Sequence, residues 1–361
     1  MIIYRYLIKE ILYTFIAVLL VLVLIFMGNF FSRYLAWAAE GFIASGIVLD
    51  LLLLRTAGSL CVLLPFTLFI AVLIAFGRMY KDSEMTALSA SGVQTSMILK
   101  PVLILALFFT LLVAVLSFVV APWTEDKTQK IMEHSEATAE FEGITAGQFT
   151  QLKDNENSVF YTEKIASDGK HMQNLFVQIR EKDELTIYLA NKGYQTTDPK
   201  TGERYFVLLD GYRYQLRPGD KALQYQQYRK SAFRIEEKNV AIKPRSIYQM
   251  STVALFNMNS TEAVAELEWR FSLPISTLLL PLLAALLSRT SPRKGRFGKL
   301  FLAIIIFVIY NNALNLSRNW IESQQIPGGI GMWWAHCLLV FFIVYLYVRQ
   351  SGWMWRKKYA A

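Results

Sequence analysis

Over most of this chain apolar residues do not alternate with polar ones but run together. Six runs stand out: Ile11–Phe30, Leu51–Phe76, Pro101–Val120, Phe271–Leu287, Leu300–Leu316 and Trp334–Val348. A bilayer core about 30 Å thick needs about 20 mostly apolar residues per helix, and several of these runs are long enough. None in the C-terminal half has the period-2 alternation of a membrane barrel. The pattern predicts an α-helical polytopic membrane protein with about six transmembrane helices. The first run exceeds a typical signal-peptide core and no small-residue cleavage site follows it, so it is read as a retained span.

Between the third and fourth runs, from about Ala121 to Phe271, the pattern changes. Thr124–Glu142 is charged and reads as a helix. Then come short segments rich in aromatic and β-branched residues: Gln148–Gln151, Ser158–Lys164, Leu175–Arg180, Leu185–Asn191, Arg204–Leu209, Tyr212–Leu216 and Tyr225–Ile235. Turn signals separate them at Asp154-Asn155, Asp168-Gly169, Asp198-Pro199 with Gly202, and Pro218-Gly219-Asp220. Short strands at such spacing predict an inserted all-β sandwich or jelly roll. Met250–Arg270 reads as a helix returning to the apolar half. The expected organisation is residues 1–121 with three spans, 122–270 as a water-soluble jelly-roll-like insertion with helical connectors, and 271–361 with three more spans and a basic tail.

Charge adds direction. The chain carries a net +9, yet residues 122–270 hold 20 basic and 22 acidic residues. The excess positive charge therefore sits in the apolar half, and the insertion has no basic surface for nucleic acid. Short loops on one side carry Arg5, Lys9, Arg78, Lys81, Lys100, Arg289, Arg293, Lys294, Arg296, Lys299, Arg349, Arg356, Lys357 and Lys358. The other side has little more than Arg33 and Arg318. By the positive-inside rule both termini are expected in the cytoplasm and the insertion across the membrane, in the periplasm of a bacterium. Cys61 and Cys337 fall inside spans and are expected to be two small buried residues, with no disulfide or metal framework.

Few residues carry readable chemistry. No phosphate loop GxxxxGK[ST], HExxH or GxSxG occurs, and His134, His171 and His336 are scattered, so no catalytic residue, cofactor or metal site is expected. Ionisable residues at mid-span depth are almost missing, which argues against a proton-driven transporter. Arg33, at the outer end of the first span, either snorkels to water or meets a lipid phosphate, and Arg55 is expected to snorkel. Asn311 and Asn315 share a helix face and predict an interhelical hydrogen bond or a polar strip on a gate. Pro122 before Trp123 reads as a helix stop with an interfacial anchor.

The loop Gly77–Lys100 is not a linker. Asp82 and Ser83 read as N-cap residues, and Glu84 sits in the first turn, where the helix dipole favours a carboxylate. Met85 and Leu88 share a face, and Gly92 reads as the C-terminal stop. This is a short amphipathic helix that either joins two spans or docks into a partner. In the insertion, aromatics such as Phe149, Phe160, Phe176, Tyr188, Tyr212 and Tyr214 fill a sandwich core or line a groove for an apolar ligand.

The opening MIIYRYLIKE, the loop GRMYKDSEMTALSASGV, GQF followed by VFYTEK, and ELEWR before a Pro-containing span resemble the LptF/LptG permease family over essentially the whole chain. The resemblance implies a permease that forms a heterodimer with the paralogous LptG half, binds two copies of a cytoplasmic ATPase, and carries no cofactor itself. Such a complex extracts lipopolysaccharide from the outer leaflet of the inner membrane of Gram-negative bacteria. It passes the lipid to a periplasmic bridge through the single-span partner LptC. It also implies that the loop with Tyr80, Asp82, Ser83, Glu84, Met85, Leu88 and Gly92 is a coupling helix seated in the ATPase, with Glu84 facing basic residues. Arg33 matches a basic position near the substrate's phosphates, and Phe30 stands where the family often has a second basic residue. Two other readings remain from the residues alone. One is a membrane-anchored sensor or scaffold, against which the shape of the Gly77–Lys100 loop counts. The other is a membrane enzyme with its site in the insertion, against which the empty catalytic inventory counts.

Overall fold

The computed structural model describes residues 2–39, 43, 45–142, 146–151, 158–166, 171–181, 184–197, 204–216, 224–234, 246–289, 296–328 and 330–350. They form two compact units. One, helical, comprises residues 1–30, 52–128 and 245–361; the other comprises 31–51 and 129–244.

The apolar runs become long helices because in lipid each backbone polar group must find its partner within the segment. They are α1 (Ile2–Ala39), α2 (Val48–Lys81), α4 (Thr95–Val115), α7 (Thr261–Leu287), α8 (Arg296–Glu322) and α9 (Trp333–Gln350), with the short α3 (Glu84–Ala90) between α2 and α4. Among the described residues six helical stretches are long and apolar enough to cross a membrane. α2 and α7 are largely buried, and their core joins Leu68, Phe69, Val72 and Phe76 to Val102, Val113, Leu280, Leu283 and Ala284. Small residues of α7, among them Ser272, Ser276, Thr277, Ala284 and Ala285, are buried, which allows close helix approach without a hydrophobic driving force. α1, α8 and α9 leave most of their apolar surface uncovered.

Pro122 does not stop the third span. α4 passes through a π-helical turn, Leu116–Val120, straight into α5 (Ala121–Glu142). Proline has no N–H to give the carbonyl four residues before it and its ring crowds that carbonyl. The wider π turn absorbs the misfit, as π turns do inside α-helices. The stretch expected to be one returning helix from Met250 is broken. A 3-10 turn at Ile247–Gln249 and a short α6 (Thr252–Phe256) precede α7, and Ser251 and Ser260 cap the two helices by accepting from Ala254 N and Ala263 N.

Among the described residues the insertion forms one antiparallel sheet of six strands: β1 (Phe149–Gln151), β2 (Ser158–Ile165), β3 (His171–Glu181), β4 (Glu184–Thr197), β5 (Arg204–Leu216) and β6 (Gln224–Arg234). Each pairs with the next in order. The described strands thus form a meander, not the crossed-over order of a jelly roll. The segments expected at Arg204–Leu209 and Tyr212–Leu216 are a single strand. The expected turn signals between strands lie outside the described residues.

A transverse line of unpaired positions crosses this sheet. Thr162 pairs with Leu175 and Lys164 with Gln173, yet Glu163 and Asn174 do not pair. The ladder skips Asn174–Asn191, Asn191–Asp210 and Asp210–Arg229 in the same way. On β3 and β5 the residue on the line has positive φ, Asn174 and Asp210 both at 51°, and Gly147, just ahead of β1, has φ 82°. Asn and Asp tolerate this left-handed geometry better than other side chains with a Cβ. Crossing the line shifts the buried face by one residue, from Met172 to Leu175 on β3 and from Leu208 to Gly211 on β5. The sheet folds over at the line. In a flat sheet Phe160 on β2 would stand opposite Arg213 on β5 and lie well over about 14 Å, three strand spacings, from Phe206, but their rings are 5.6 Å apart. Phe160, Leu175, Val177 and Ala190 on one leaf then meet Met172, Phe206 and Leu208 on the other. The expected sandwich exists, made from one folded meander.

Candidate coupling and lipid-handling sites

α3 is fastened at one side and open at the other. Met85 is fully buried and Leu88 and Tyr80 pack on the same core. Tyr6 Oη donates to Glu84 Oε2 at 2.7 Å. Four residues on along α1, Glu10 accepts from Arg78 Nη2 at 2.5 Å. These two ties straddle the turn at Asp82 and Ser83. Ser83 occupies the N-cap position, but its φ is 63° and its side chain makes no capping bond. The expected cap is therefore absent, because the left-handed backbone that turns the chain from α2 into α3 is not the extended conformation a capping side chain needs. Gly92 ends the helix as expected, with φ 88° and its N–H on Ser89 O. Asp82 and Ser83 are exposed.

Phe30 and Arg33 are one turn apart on α1. Arg33 is exposed and makes no ion pair among the described residues. Arg55 does not snorkel: it is ion-paired with Glu125 of α5 and its guanidinium lies 5.9 Å from the Phe30 ring centroid. Asn311 and Asn315 do share a face, but the bond is within α8: Asn315 Nδ2 donates to Asn311 O and Oδ1, both at 2.9 Å. With Asn312 also exposed, they make a polar strip on an otherwise apolar helix. Cys61 is buried, while Cys337 is exposed on α9.

Two polar clusters inside the helical unit have no counterpart in the sequence reading. The first centres on Arg270, which is 2% exposed. Its Nε donates to Glu266 Oε1 (2.8 Å), Nη1 to Met250 O and Thr252 Oγ1 (3.0 Å each), and Nη2 to Tyr248 O (3.3 Å). Glu266 Oε2 accepts from Arg318 Nη2 at 2.5 Å, and Arg318 Nε donates to Glu322. The spacing of Glu266 and Arg270, i and i+4 on one helix, was the available signal. The second links α7, α8 and α9. Ser276 Oγ donates to Ser272 O, and the Tyr310 hydroxyl lies 2.7 Å from Ser276 Oγ and 2.8 Å from His336 Nδ1. His336 Nε2 lies 3.0 Å from Ser272 Oγ. His336 is thus a buried structural partner, and among the described residues no group of side chains could hold a metal ion.

In the β unit all six expected groove residues lie on one leaf, and strand alternation sorts them into its two faces. Phe160 and Tyr188 face the buried interior. Phe149, Phe176, Tyr212 and Tyr214 lie on the opposite face of the same leaf with Tyr161 and Tyr225. Phe149 is 69% and Tyr225 70% exposed. Phe149 packs on Tyr161 and Phe176 at 4.7 and 6.0 Å, and Tyr214 lies 6.4 Å from both Tyr212 and Tyr225. That leaf is apolar on both sides. On the inner side Arg213 stacks 5.5 Å over Tyr188. The Tyr228 hydroxyl donates to Leu189 O, and burial pushes its pKa up to about 12. Among the described strands β6 has one neighbour only, so its outer edge is open.

Comparison with known proteins bears on what these sites serve. Residues 5–349 match the family described as lipopolysaccharide export system permease LptF/LptG. The lipopolysaccharide export system permease protein LptF of Escherichia coli strain K12 is 30% identical over 316 residues, which is 86% of this chain and 84% of that protein. The protein of the same description from Shigella flexneri matches over the same extent at the same identity.

Proposed function

This chain belongs to the LptF/LptG family of lipopolysaccharide export permeases, and from that premise we propose a division of labour among its parts. It is a multi-pass membrane protein and a permease subunit of the export system. In the proposed reading it sits in the inner membrane with both termini in the cytoplasm and the β unit in the periplasm, opposite a paralogous LptG-type partner. The uncovered apolar faces of α1, α8 and α9 and the asparagine strip of α8 support the need for such a partner.

Moving a multi-acyl lipid out of a bilayer costs about 0.8 kcal/mol per CH₂ exposed. Two things follow: energy from a nucleotide-hydrolysing partner, since this chain has no phosphate loop, and an apolar shelter along the route. The observation that carries the energy half is α3. It is a seven-residue helix anchored through Met85, and Glu84 lies at its rim beside exposed polar residues. That arrangement suits a coupling helix that seats in an ATPase, with Glu84 meeting a basic residue. The β unit supplies the shelter: a leaf lined with aromatic side chains on both faces, inside a sheet that hinges along its unpaired line. The open edge of β6 suits strand addition by a further periplasmic β domain such as LptC, with backbone bonds giving affinity. Arg33, exposed and unpaired among the described residues, suits a lipid phosphate.

The test is reconstitution of the complex in proteoliposomes. Glu84→Ala is expected to abolish lipopolysaccharide-stimulated ATP hydrolysis, and a photocrosslinker at Phe160 or Tyr212 is expected to capture lipopolysaccharide during turnover. Unchanged coupling in Glu84→Ala removes α3 from the role, and no crosslink at either face removes the shelter.

A further inference from the structure

Two prolines open the helical ladder on either side of the insertion, and the same cluster closes both gaps. Pro122 has no N–H for Phe118 O, four residues before it, and Pro274 has none for Arg270 O. Thr252 Oγ1 donates to Phe118 O at 2.7 Å, and Ser117 Oγ donates to Arg270 O at 3.0 Å. Thr252 Oγ1 in turn accepts from Arg270 Nη1, whose other bonds go to Met250 O and, through Nη2, Tyr248 O. The chain leaves for the insertion through 117–122 and returns through 246–252. Both paths are thus tied by hydrogen bonds to one buried guanidinium on α7, which Glu266 links onward to Arg318 of α8.

Such a cluster is expensive to bury. Charges removed from water are retained at a net cost unless each is paired and hydrogen-bonded, and a packed apolar contact would hold two helices as well. What apolar packing cannot do is pin three loop oxygens, Met250 O, Thr252 Oγ1 and Tyr248 O, at fixed positions around one planar fork. Arg does this because its five donors are rigidly arranged.

We propose that Arg270, Thr252 and Ser117 are positioning residues for cargo hand-over: they clasp the outgoing and returning connectors into one piece with α7. Motion of α7 and α8 is then passed to both connectors at once. This rests on the permease reading given above. It implies that breaking the clasp leaves energy coupling at α3 intact while lipid delivery fails, since α3 lies at the other end of α2.

The fold-sparing variant is Ser117→Ala/Thr252→Val, which removes both hydroxyl ties and leaves the Arg270–Glu266–Arg318 charges paired. In the reconstituted complex with its ATPase, the double variant is expected to assemble and hydrolyse ATP as the parent does. It is expected to deliver at least roughly ten-fold less lipopolysaccharide per ATP to a purified periplasmic acceptor, since the two hydrogen bonds lost together change an equilibrium by about that factor or more. Thr252→Ser with Ser117 intact keeps the hydroxyl donor and is expected to deliver as the parent does. Pulsed EPR between labels at Lys127 and Val253, both exposed, with Cys337→Ser, is expected to give a broader distance distribution in the double variant. Unchanged delivery per ATP, or a proportional fall in ATP hydrolysis and delivery, overturns the proposal. A parent complex that delivers no lipid overturns the permease reading instead, and a parent that delivers with an insensitive clasp overturns only this inference.

Discussion

The Arg270 cluster and the ties that fasten α3 are built from the same groups in different solvents. Around Arg270, a guanidinium, a carboxylate and a second guanidinium are almost wholly removed from solvent, and backbone oxygens fill the remaining donors. At α3, Tyr6–Glu84 and Glu10–Arg78 are partly open to water, with the Arg78 side chain 45% exposed. Exposed pairs gain at most about 1 kcal/mol because water screens them and holding two long side chains costs entropy. A buried group left without its partner carries the full desolvation penalty. The difference teaches where each region's rigidity comes from. The connector end is fixed by polar bonds that cannot be released singly at low cost. The α3 end is fixed by apolar contacts centred on the fully buried Met85, and its polar bonds can exchange for a partner's.

The largest effect should come from Glu266→Ala. It strands Arg270 and Arg318 together in a buried site, and breaking one member of such a set costs about 3–5 kcal/mol. Chemical unfolding of the purified protein in detergent measures it. A loss no larger than that of Glu84→Ala would erase the contrast between the two regions.

Met85→Ala should come next. Met85 is fully enclosed by the bundle core, and truncating such a side chain costs about 2–5 kcal/mol with the value set by how far the site collapses. Because α3 is only seven residues long and is fastened otherwise by exposed bonds, the change should appear as local opening. Hydrogen exchange at residues 84–92 should rise while α2 and α7 stay protected. Global unfolding with no selective exchange at α3 would mean that α3 is not separately anchored.

These contrasts were only partly legible in the sequence. The helices were, because unbroken apolar runs leave lipid-spanning helices as the one way to satisfy the backbone. The charges of Glu266 and Arg270 could be read as an i, i+4 pair, but not their burial, which depends on residues 248–252 folding back onto α7. Pro122 looked like a stop because a π turn and a hydroxyl from a segment about 130 residues away in sequence cannot be read locally. In the β unit, Asp210-Gly211 looked like a break between strands. It is the fold line, where the buried face shifts by one residue from Leu208 to Gly211, whereas Phe160 and Tyr188 are separated from Phe149, Phe176, Tyr212 and Tyr214 by alternation within one leaf. Period-2 reasoning assumes one face throughout a strand, and here every central strand changes parity. α3 was read correctly in its span, its apolar face and its Gly92 stop, since those are local, whereas its ties to Tyr6 and Glu10 are not.

A smaller effect separates the regions by salt. Glu10→Gln removes the carboxylate that pairs with Arg78, and its cost should stay within about 1 kcal/mol at low ionic strength. At about 1 M salt the Debye length falls to about 3 Å, and the variant and parent should converge. Glu266→Ala should keep its deficit at both ionic strengths, because its partners are out of reach of the counterions. Salt-dependent convergence of both variants would place the Arg270 cluster in water, contrary to its burial.

The smallest change, Tyr6→Phe, probes the α3 end most finely. It deletes one hydroxyl and leaves the ring, so the stability cost should be that of a single partly exposed hydrogen bond, about 0.5–1.5 kcal/mol or less. Its consequence for Glu84 is different in kind. With Tyr6 present the carboxylate is held toward α1; without it the carboxylate is free for a basic group on a partner. Tyr6→Phe should therefore bind the ATPase at least as tightly as the parent, whereas Glu84→Gln should bind it more weakly, and the double variant should match Glu84→Gln alone. Calorimetry of the detergent-solubilised permease with the isolated ATPase reads all three. Weaker binding in Tyr6→Phe would mean that the hydroxyl presents Glu84 to the partner and does not compete for it.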